Sequence, residues 1–319
     1  MDYVVLDLEW NQGSDGKRNM NKEVPCEIVE IGAVKLNKDF QIVGQFSELI
    51  APAIYKEMHR ITRDLIHLDM DELSKGRPFP EVIREFAAWC GKDFMFCTWG
   101  MMDLTELQRN MKYYNTKDFL GYPVKYYDVQ KLFSIAYEDR KTRRNLEFAI
   151  DYLKIEKDVQ FHRAGSDAYY TALVFGQLNK QVLTNYSIDY YRPPRNSKEE
   201  IYAVFDTYSK FVSRTFSARE DAMKDREVTS TRCYLCGLPA RKQIRWFSTN
   251  NKVYYCQAIC AKHGYLKGKI RIKRADDGRM FAVKTLKLVK KEEAVKIGER
   301  REQMRLKRQL HKKAKQKAK

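Results

Sequence analysis

The chain has 319 residues, of which 44% are hydrophobic, and a formal net charge of +18. This length and composition are typical of a globular protein with room for one medium domain and a smaller one. The sequence contains no run of 18 or more apolar residues, which argues against a membrane-spanning helix, and its start lacks the basic and apolar regions of a signal peptide, so we expect a cytosolic protein.

The positive charge is concentrated at one end of the chain. Residues 228–319 contain 27 Lys and Arg against 6 Asp and Glu, whereas residues 1–227 contain 33 against 36. Because Lys and Arg gain affinity for phosphates by releasing condensed counterions, this division predicts a catalytic body joined to a polyanion-binding part. For the last twenty residues alone, a solvated tail is an equally good interpretation.

Hydrophobic periodicity predicts alternating strands and helices in the first part of the chain. Strands are expected over 2–7, 28–37, 41–50, 94–98 and 124–128, and helices over 102–114, 142–153 and 164–180. Thr142 is the expected N-cap of the second helix. Three early strands followed by alternating helices and strands predict a mixed sheet covered by helices.

The chain then leaves this predicted domain. Two prolines within 185–200 break any helix there, a helix is expected over about 198–222, and a cysteine-bearing module follows. Beyond residue 290 the composition predicts a charged helix that gives way to disorder.

Two carboxylates follow directly on the first apolar strand. Alternation in a strand places Asp7 and Glu9 on one face, where they repel each other unless a cation compensates. Hard oxygen ligands of this kind suit Mg²⁺ or Mn²⁺. An Asp-x-Glu pair alone is a weak signal, because carboxylates also occur at strand ends as caps or turn residues.

Two further stretches strengthen the prediction. "FMFCTWGMMDLTEL" (94–107) is an apolar strand leading to Asp103 at the start of a helix. "HRAGSDAYYTALVFGQL" (162–178) places His162 before a helix and Asp167 in its first turns.

The pattern of "DLE", "WGMMD" and "HRAGSD" resembles the DEDDh family of 3′–5′ exonucleases over residues 1 to about 182. The resemblance implies an α/β, RNase H-like fold with a mixed five-stranded sheet flanked by helices. The "WGMMDL" form is most similar to the exoribonuclease branch of the family.

The resemblance also implies roles for individual residues. Asp7, Glu9, Asp103 and Asp167 would hold two Mg²⁺ or Mn²⁺ ions around the scissile phosphate, and His162 would be the general base. The substrate contacts implied by the family are Trp10, Ile61, Thr62 and Met102. Trp99 and Met101 are expected in the core.

The seven cysteines fall into two groups. Cys26, Cys90 and Cys97 have apolar surroundings and are expected to be buried thiols. Cys233, Cys236, Cys256 and Cys260 have the paired short spacings of a zinc ribbon, whose second pair, "CQAIC", has three intervening residues instead of the commoner two. His263 in "CAKHG" is therefore a possible substitute ligand, and two disulfides are the alternative to zinc.

Together these observations divide the chain into four expected segments. They are an exonuclease domain (1–183), a linker and helix (184–227), a zinc-ribbon nucleic-acid-binding module (228–289) and a basic tail (290–319), with protein contacts as the alternative role of the ribbon. The expected activity is metal-dependent 3′–5′ trimming of RNA with release of nucleoside 5′-monophosphates.

Two alternatives to this activity are a DNA exonuclease of the proofreading or repair type and an RNA- or ribosome-binding adaptor with a vestigial site. The expected partner is nucleic acid, with RNA favoured over DNA and the ribosome or structured RNA as possible targets; no membrane partner is expected.

Overall fold

The computed structural model describes residues 1–13, 20–66, 68–159 and 161–317. They divide into two compact units, Met1–Asp189 and Tyr190–Lys319. Each unit is built on a six-stranded sheet. Among the described residues, no helix combines the length and the apolar character needed to cross a membrane.

The first unit contains the mixed sheet that the sequence predicts. Its strands are β1 (Asp2–Asn11), β2 (Glu27–Leu36), β3 (Ile42–Leu49), β4 (Phe94–Thr98), β5 (Lys125–Asp128) and β6 (Ser187–Ile188). Their order is β3-β2-β1-β4-β5-β6, and β1 pairs antiparallel with β2 but parallel with β4. The sheet has one strand more than expected because two residues after the last helix of the unit pair with β5.

Within the described residues of this unit, seven α-helices accompany the sheet. They are α1 (Arg60–Ile66), α2 (Met70–Ser74), α3 (Phe79–Cys90), α4 (Met102–Tyr113), α5 (Val129–Tyr137), α6 (Leu146–Tyr152) and α7 (Ala164–Gly176). Successive side chains of β1 enter two different cores, because strand side chains alternate between faces. Val4 and Leu6 pack with residues of α3 and α4, whereas Val5 packs with residues of α5, α6 and α7.

The start of α6 differs from the sequence prediction. Asn145, and not Thr142, is the N-cap, and its side chain accepts a hydrogen bond from the backbone N–H of Phe148. The backbone N–H of Thr142 instead donates to Asp139. The loop between α5 and α6 is therefore longer than the periodicity suggested.

Gly32 allows α7 to lie directly against β2. A Cβ atom at this position would be 2.0 Å from the carbonyl carbon of Ala164 and 2.1 Å from the nitrogen of Gly165. Gly32 is also the register partner of Asp7 on β1. The absent side chain thus brings the first turn of α7 close to the acidic end of β1.

We expect Gly32→Ala to displace α7 and to lower both stability and activity. Since the clash is with backbone atoms, the loss should be at the upper end of overpacking penalties, about 3 kcal/mol, or about 6–12 °C in melting temperature. Gly44→Ala is the matched control on β3, because its Cβ would meet only the Trp89 ring, at 3.5 Å. Equal melting temperatures for the two variants would contradict this account.

The second unit is an antiparallel sheet with three helices. Its strands are β7 (Ile201–Val204), β8 (Tyr208–Val212), β9 (Arg241–Ser248), β10 (Val253–Cys260), β11 (Gly264–Arg274) and β12 (Met280–Leu288), in the order β7-β8-β12-β11-β10-β9. The helices are α8 (Arg219–Lys224), α9 (Arg226–Thr229) and α10 (Lys291–Lys317).

The helix expected over 198–222 is replaced by a hairpin. Ile201 and Ala203 are buried, whereas the residues that follow each of them, Tyr202 and Val204, are exposed. This alternation is the two-residue period of a strand. Strand β8 pairs with β12, so this part of the chain belongs to the second sheet and is not a linker. Only the short helix α8 remains of the helical prediction.

The basic C-terminal segment forms α10, which packs on the second unit. Ala294 and Ile297 are buried, Glu293 pairs with Lys267 of β11 at 2.7 Å, and the Arg300 guanidinium lies 4.7 Å from the centre of the Tyr255 ring. The helical part of the prediction for this segment is therefore confirmed up to Lys317.

Candidate active site and zinc centre

Three of the predicted carboxylates meet at the end of β1. Asp7 and Glu9 lie on one face of the strand, and α7 brings Asp167 to the same place. One ligand oxygen from each of these side chains lies within 4.8 Å of the others. The strand alternation and the close approach of α7 together produce this cluster.

Asp103 is held beside this cluster by backbone donors. It is the second residue of α4 and is buried. Its own backbone N–H and that of Leu8 on β1 donate to its carboxylate, and its charge acts on Asp7. Asp103 is outside the group of three whose oxygens lie within 4.8 Å, although it borders the same site.

The first turn of α7 is fixed by an ion pair across the sheet. The Arg163 guanidinium contacts the buried Glu30 carboxylate of β2 at 3.0 Å, and Glu30 lies opposite Glu9 in the register. The backbone N–H of Ala164 also donates to Glu30, at 3.4 Å. Neither residue was singled out from the sequence, because nothing local shows that Arg163 reaches a strand far back in the chain.

His162 lies immediately before this turn, in a left-handed conformation with φ of 64°. Its side chain is exposed, its backbone N–H donates to the Asp167 carboxylate, and its charge lowers the pKa of Asp167. The structure therefore places the predicted base next to the predicted metal ligand.

The acids of the site all have raised pKa values. Burial is the largest cause for each of them: the pKa of Glu9 rises to about 8, that of Asp103 to about 7 and that of Asp167 to about 6. For Glu9 the charges of Asp167, Glu30 and Asp103 add to the effect of burial. Burial and the charges of Asp103, Glu9 and Asp167 raise the pKa of Asp7 well above its usual range. Repelling carboxylates in such a place are stabilised by cations.

One carboxylate oxygen of the site has no hydrogen-bond donor among the described residues. Asp167 Oδ1 is buried and accepts no hydrogen bond from the described residues. A buried carboxylate oxygen without a donor, beside two further carboxylates, fits a hard divalent cation such as Mg²⁺ or Mn²⁺. The residues present therefore suit the metal ions that the sequence pattern implies.

The expected substrate contacts differ in exposure. Met102 is 48% exposed, and Thr62 is buried with its hydroxyl 3.4 Å from the carbonyl oxygen of Trp10, which is itself partly buried. The side chain of Ile61 lies outside the described part of the chain. The expectation that Met101 belongs to the core is wrong, since 43% of its side chain is exposed.

Asn11 is a further organising residue that the sequence did not reveal. It is fully buried, accepts from the backbone N–H of His59 at 2.9 Å and donates to the carbonyl of Glu57 at 2.9 Å. It thereby ties the end of β1 to the segment that begins α1, next to Glu9.

The second unit contains a separate cluster of metal-binding groups. Cys233, Cys236, Cys260 and His263 each offer an atom within 4.8 Å of the others. Cys236 Sγ and Cys260 Sγ are 3.6 Å apart, and His263 Nδ1 is 3.5 Å from Cys233 Sγ and 3.7 Å from Cys260 Sγ. A tetrahedral ion with Zn–S bonds of about 2.3 Å and Zn–N bonds of about 2.0–2.1 Å spaces its ligands by about 3.5–3.8 Å, so the cluster has the dimensions of a zinc site.

Cys256 is not part of this cluster, contrary to the sequence prediction. It faces Gly268 in the β10–β11 register, where a Cβ would be 2.4 Å from Cys256 Sγ and 2.6 Å from the Trp246 ring. Burial raises the pKa of this thiol to about 12. Cys256 is thus a packing residue in the interior of the sheet, and His263 takes its place.

The sequence did contain a signal for this ligand set. "CYLCG" and "CAKHG" share the same spacing, two residues between the ligands and a glycine after the second. Both glycines are in the left-handed region, Gly237 with φ of 69° and Gly264 with φ of 81°. For Cys260, burial raises the pKa, but donors that include the N–H groups of Lys262 and His263 prevail and lower it to about 6, which favours the thiolate that binds metal.

A mixed sheet that ends in clustered acids beside an exposed histidine is the arrangement expected of a DEDDh nuclease with an RNase H-like fold. The exonuclease family model RNase_T matches residues 4–175, more than half of the chain, and the chain belongs to this family. It is therefore an exonuclease, a hydrolase that cleaves phosphodiester bonds of nucleic acid, and its clustered acids and histidine follow the DEDDh 3′–5′ pattern. DEDDh exonucleases use two divalent metal ions.

Solved structures similar to this chain are also nucleases. The nuclease domain of 3′hExo, described as a DEDDh family member bound to rAMP, is 18% identical, with 59% of this chain and 96% of that chain covered and a TM-score of 0.48. Cell-death related nuclease 4 is 17% identical, with coverages of 62% and 73% and a TM-score of 0.46. E. coli exonuclease I in complex with a dA16 oligonucleotide is 14% identical, with coverages of 81% and 54% and a TM-score of 0.47. No curated protein sequence matches this chain significantly.

Proposed function

We propose that this exonuclease trims RNA from the 3′ end and releases nucleoside 5′-monophosphates. The observation that carries the proposal is the convergence of Asp7, Glu9 and Asp167 within 4.8 Å, with a buried Asp167 oxygen that has no donor among the described residues. Together with Asp103 these residues would hold two Mg²⁺ or Mn²⁺ ions. Such ions, when bound, supply activation of the attacking water and stabilisation of the departing 3′ oxygen.

The protein groups would orient the reaction. Asp103 is fixed by the N–H of Leu8 and Asp167 by the N–H of His162, so the two helices present their oxygens in defined positions. The His162 imidazole would accept the proton of the attacking water as general base. Because His162 is exposed, it can pass that proton to solvent.

The second unit would bind the nucleic acid, with one structural Zn²⁺ held by Cys233, Cys236, Cys260 and His263. Lys267, Lys269, Arg271 and Lys273 alternate along β11 and therefore share one face of the sheet. On the same face Lys269 lies 5.7 Å from the centre of the Tyr255 ring. The Tyr255 ring is buried and Glu293 of α10 pairs with Lys267, so this face offers its remaining cations for phosphate contacts and no ring for base stacking. These cations support a nucleic acid as the partner, and structured RNA or the ribosome is the proposed target. Since the zinc ligands need reduced cysteines, the cytosol is the proposed compartment.

Matched ribo- and deoxyribo-oligomers test the RNA preference. We expect kcat/KM to be about tenfold or more higher for RNA, because one net hydrogen bond to a 2′-hydroxyl accounts for a factor of that size. An RNA whose single 3′-terminal nucleotide lacks the 2′-hydroxyl shows whether the preference arises at the cleavage site. Equal or faster hydrolysis of DNA would replace this proposal by the DNA exonuclease.

A further inference from the structure

The loop between α5 and α6 and the exposed side of α6 form a surface that the reaction at the carboxylates does not use. We name it the aromatic loop patch and define it by Arg143, Arg144, Phe148 and Tyr152. The Phe148 and Tyr152 side chains are 37% and 50% exposed. Their ring centres are 6.2 Å apart with planes at 21°, and the buried Phe133 ring lies 5.6 Å from Tyr152. The two exposed rings are therefore held in place by the core beneath them.

The acids near this patch are engaged, whereas several cations are exposed. Glu138 pairs with Arg144 at 2.7 Å, and Asp139 accepts the backbone N–H groups of Lys141 and Thr142. Glu147 and Asp151 both pair with Lys157, at 3.1 and 2.8 Å. The exposed cations of the loop are Arg140, Lys141, Arg143 and Arg144, and the last of these lies 4.4 Å from the Phe148 ring centre. The surface presented by the loop is thus cationic and aromatic.

One hydrogen bond joins the loop of the patch to Gln130, which lies near the turn that precedes Asp103. The Gln130 side-chain amide donates to the carbonyl oxygen of Arg144 at 2.7 Å, and its oxygen lies 4.0 Å from where a Cβ on Gly100 would be. Gly100 begins the turn that leads through the exposed Met101 and Met102 to Asp103. Gln130 therefore lies between the loop that carries the patch and the turn that leads to Asp103.

We propose that the aromatic loop patch binds the single-stranded part of the substrate on the 5′ side of the scissile nucleotide. The bases would stack on Phe148 and Tyr152 and the phosphates would contact the loop cations, which is the combination that single-stranded nucleic acid requires. The inference rests on the proposed exonuclease function and adds a binding surface to it.

The double variant Phe148→Ala/Tyr152→Ala tests the inference through the length dependence of hydrolysis. The kcat/KM ratio of an eight-nucleotide to a two-nucleotide single strand should fall about 10- to 100-fold, mainly through KM for the longer strand, because each lost stacking contact weakens binding. Tyr152→Phe should retain the ratio, since it keeps the ring. Tyr113→Ala, an exposed tyrosine at the far end of α4 (39% exposed), is the matched control and should leave the ratio unchanged.

A folded double variant with the wild-type ratio would overturn the inference, and so would equal losses on both substrates. If the double variant melts early, Lys141→Glu/Arg143→Glu on the exposed loop replaces it. This double variant should also lower the kcat/KM ratio. In addition, the slope of log binding constant against log salt concentration should become less steep by about 1.4, because two phosphate contacts on a single strand are lost. An unchanged kcat/KM ratio in the Lys141→Glu/Arg143→Glu variant would also overturn the inference. If the patch captures a protein while neither double variant changes the ratio, the patch belongs to a protein partner. Failure of the wild-type protein to cleave the two-nucleotide strand would instead count against the exonuclease function itself.

Discussion

Asp7→Asn is expected to abolish hydrolysis and at the same time to raise the melting temperature of the metal-free protein. Loss of a metal ligand should reduce kcat/KM by at least about 10³-fold, equivalent to about 4 kcal/mol of transition-state stabilisation. The same change removes a buried charge that Asp103, Glu9 and Asp167 repel. A gain of about 1 kcal/mol or more, or about 2–4 °C, should follow.

The stabilisation should depend on pH in one direction. Because the pKa values of the site carboxylates are raised in the folded state, the metal-free wild-type protein is most stable below their ordinary values and loses stability as pH rises through about 6, 7 and 8. The advantage of Asp7→Asn should therefore be largest at pH 8 and small at pH 5. Added Mg²⁺ should reverse the order at pH 8, because only the wild-type site retains its ligands.

Thermal denaturation in chelator and in Mg²⁺, together with hydrolysis of a short oligomer, measures both effects. Asp39→Asn in the same unit is the control, since Asp39 is exposed in the turn after β2, at the opposite end of β1 from Glu9. Hydrolysis that survives in Asp7→Asn would show that the cluster is not the catalytic centre. It would then favour the adaptor with a vestigial site, or activity elsewhere in the chain.

His263→Ala is expected to remove zinc, whereas Cys256→Ser is expected to retain it. His263 Nδ1 lies within 3.7 Å of two cysteine sulfurs, while Cys256 packs against Gly268 and the Trp246 ring. Structural zinc contributes about 10–16 kcal/mol in finger peptides, so its loss should unfold the end of the second unit where β10 and β11 meet. Cys256→Ser should cost only about 1–3 kcal/mol, the cost of a buried hydroxyl in place of a thiol.

Metal analysis of the full chain after dialysis distinguishes the two ligand sets. We expect one equivalent of zinc in the wild type and in Cys256→Ser, and substoichiometric zinc in His263→Ala. Substitution with Co²⁺ provides a second measurement, because the thiolate charge-transfer band should have the intensity of three sulfur ligands. Four sulfurs, or zinc lost from Cys256→Ser and kept in His263→Ala, would restore the four-cysteine site that the sequence first suggested.

The acids of the candidate site could be predicted because the local sequence around each of them indicates its position. Asp7 and Glu9 end an apolar strand, and Asp103 and Asp167 begin helices, so residue type and position coincide. Gly32 and the Glu30–Arg163 pair could not be predicted in the same way. Their roles arise from the approach of α7 to β2, a contact between parts of the chain far apart in sequence.

The second unit was predicted less well for a related reason. The strands of the β7–β8 hairpin are only four and five residues long, so their two-residue hydrophobic period is short. The charged residues on either side of them were interpreted as parts of a helix. The cysteine spacing identified a metal site but misplaced one ligand, because Cys256 and His263 are both near Cys260 in sequence and only the turn after β10 decides between them. RNA preference and the strand path are not encoded in any local pattern, and they need the measurements described above.

The pairing of β8 with β12 sets the order in which the two units can be completed during translation. Every strand of the nuclease sheet is synthesised by Ile188. In the second sheet, Tyr208–Val212 can pair at once with Ile201–Val204 but must wait for Met280–Leu288, its other neighbour. Such distant pairing is slow to form, and domains fold as units while the chain is made. On the ribosome, the nuclease unit should therefore be assembled while the second unit is still incomplete.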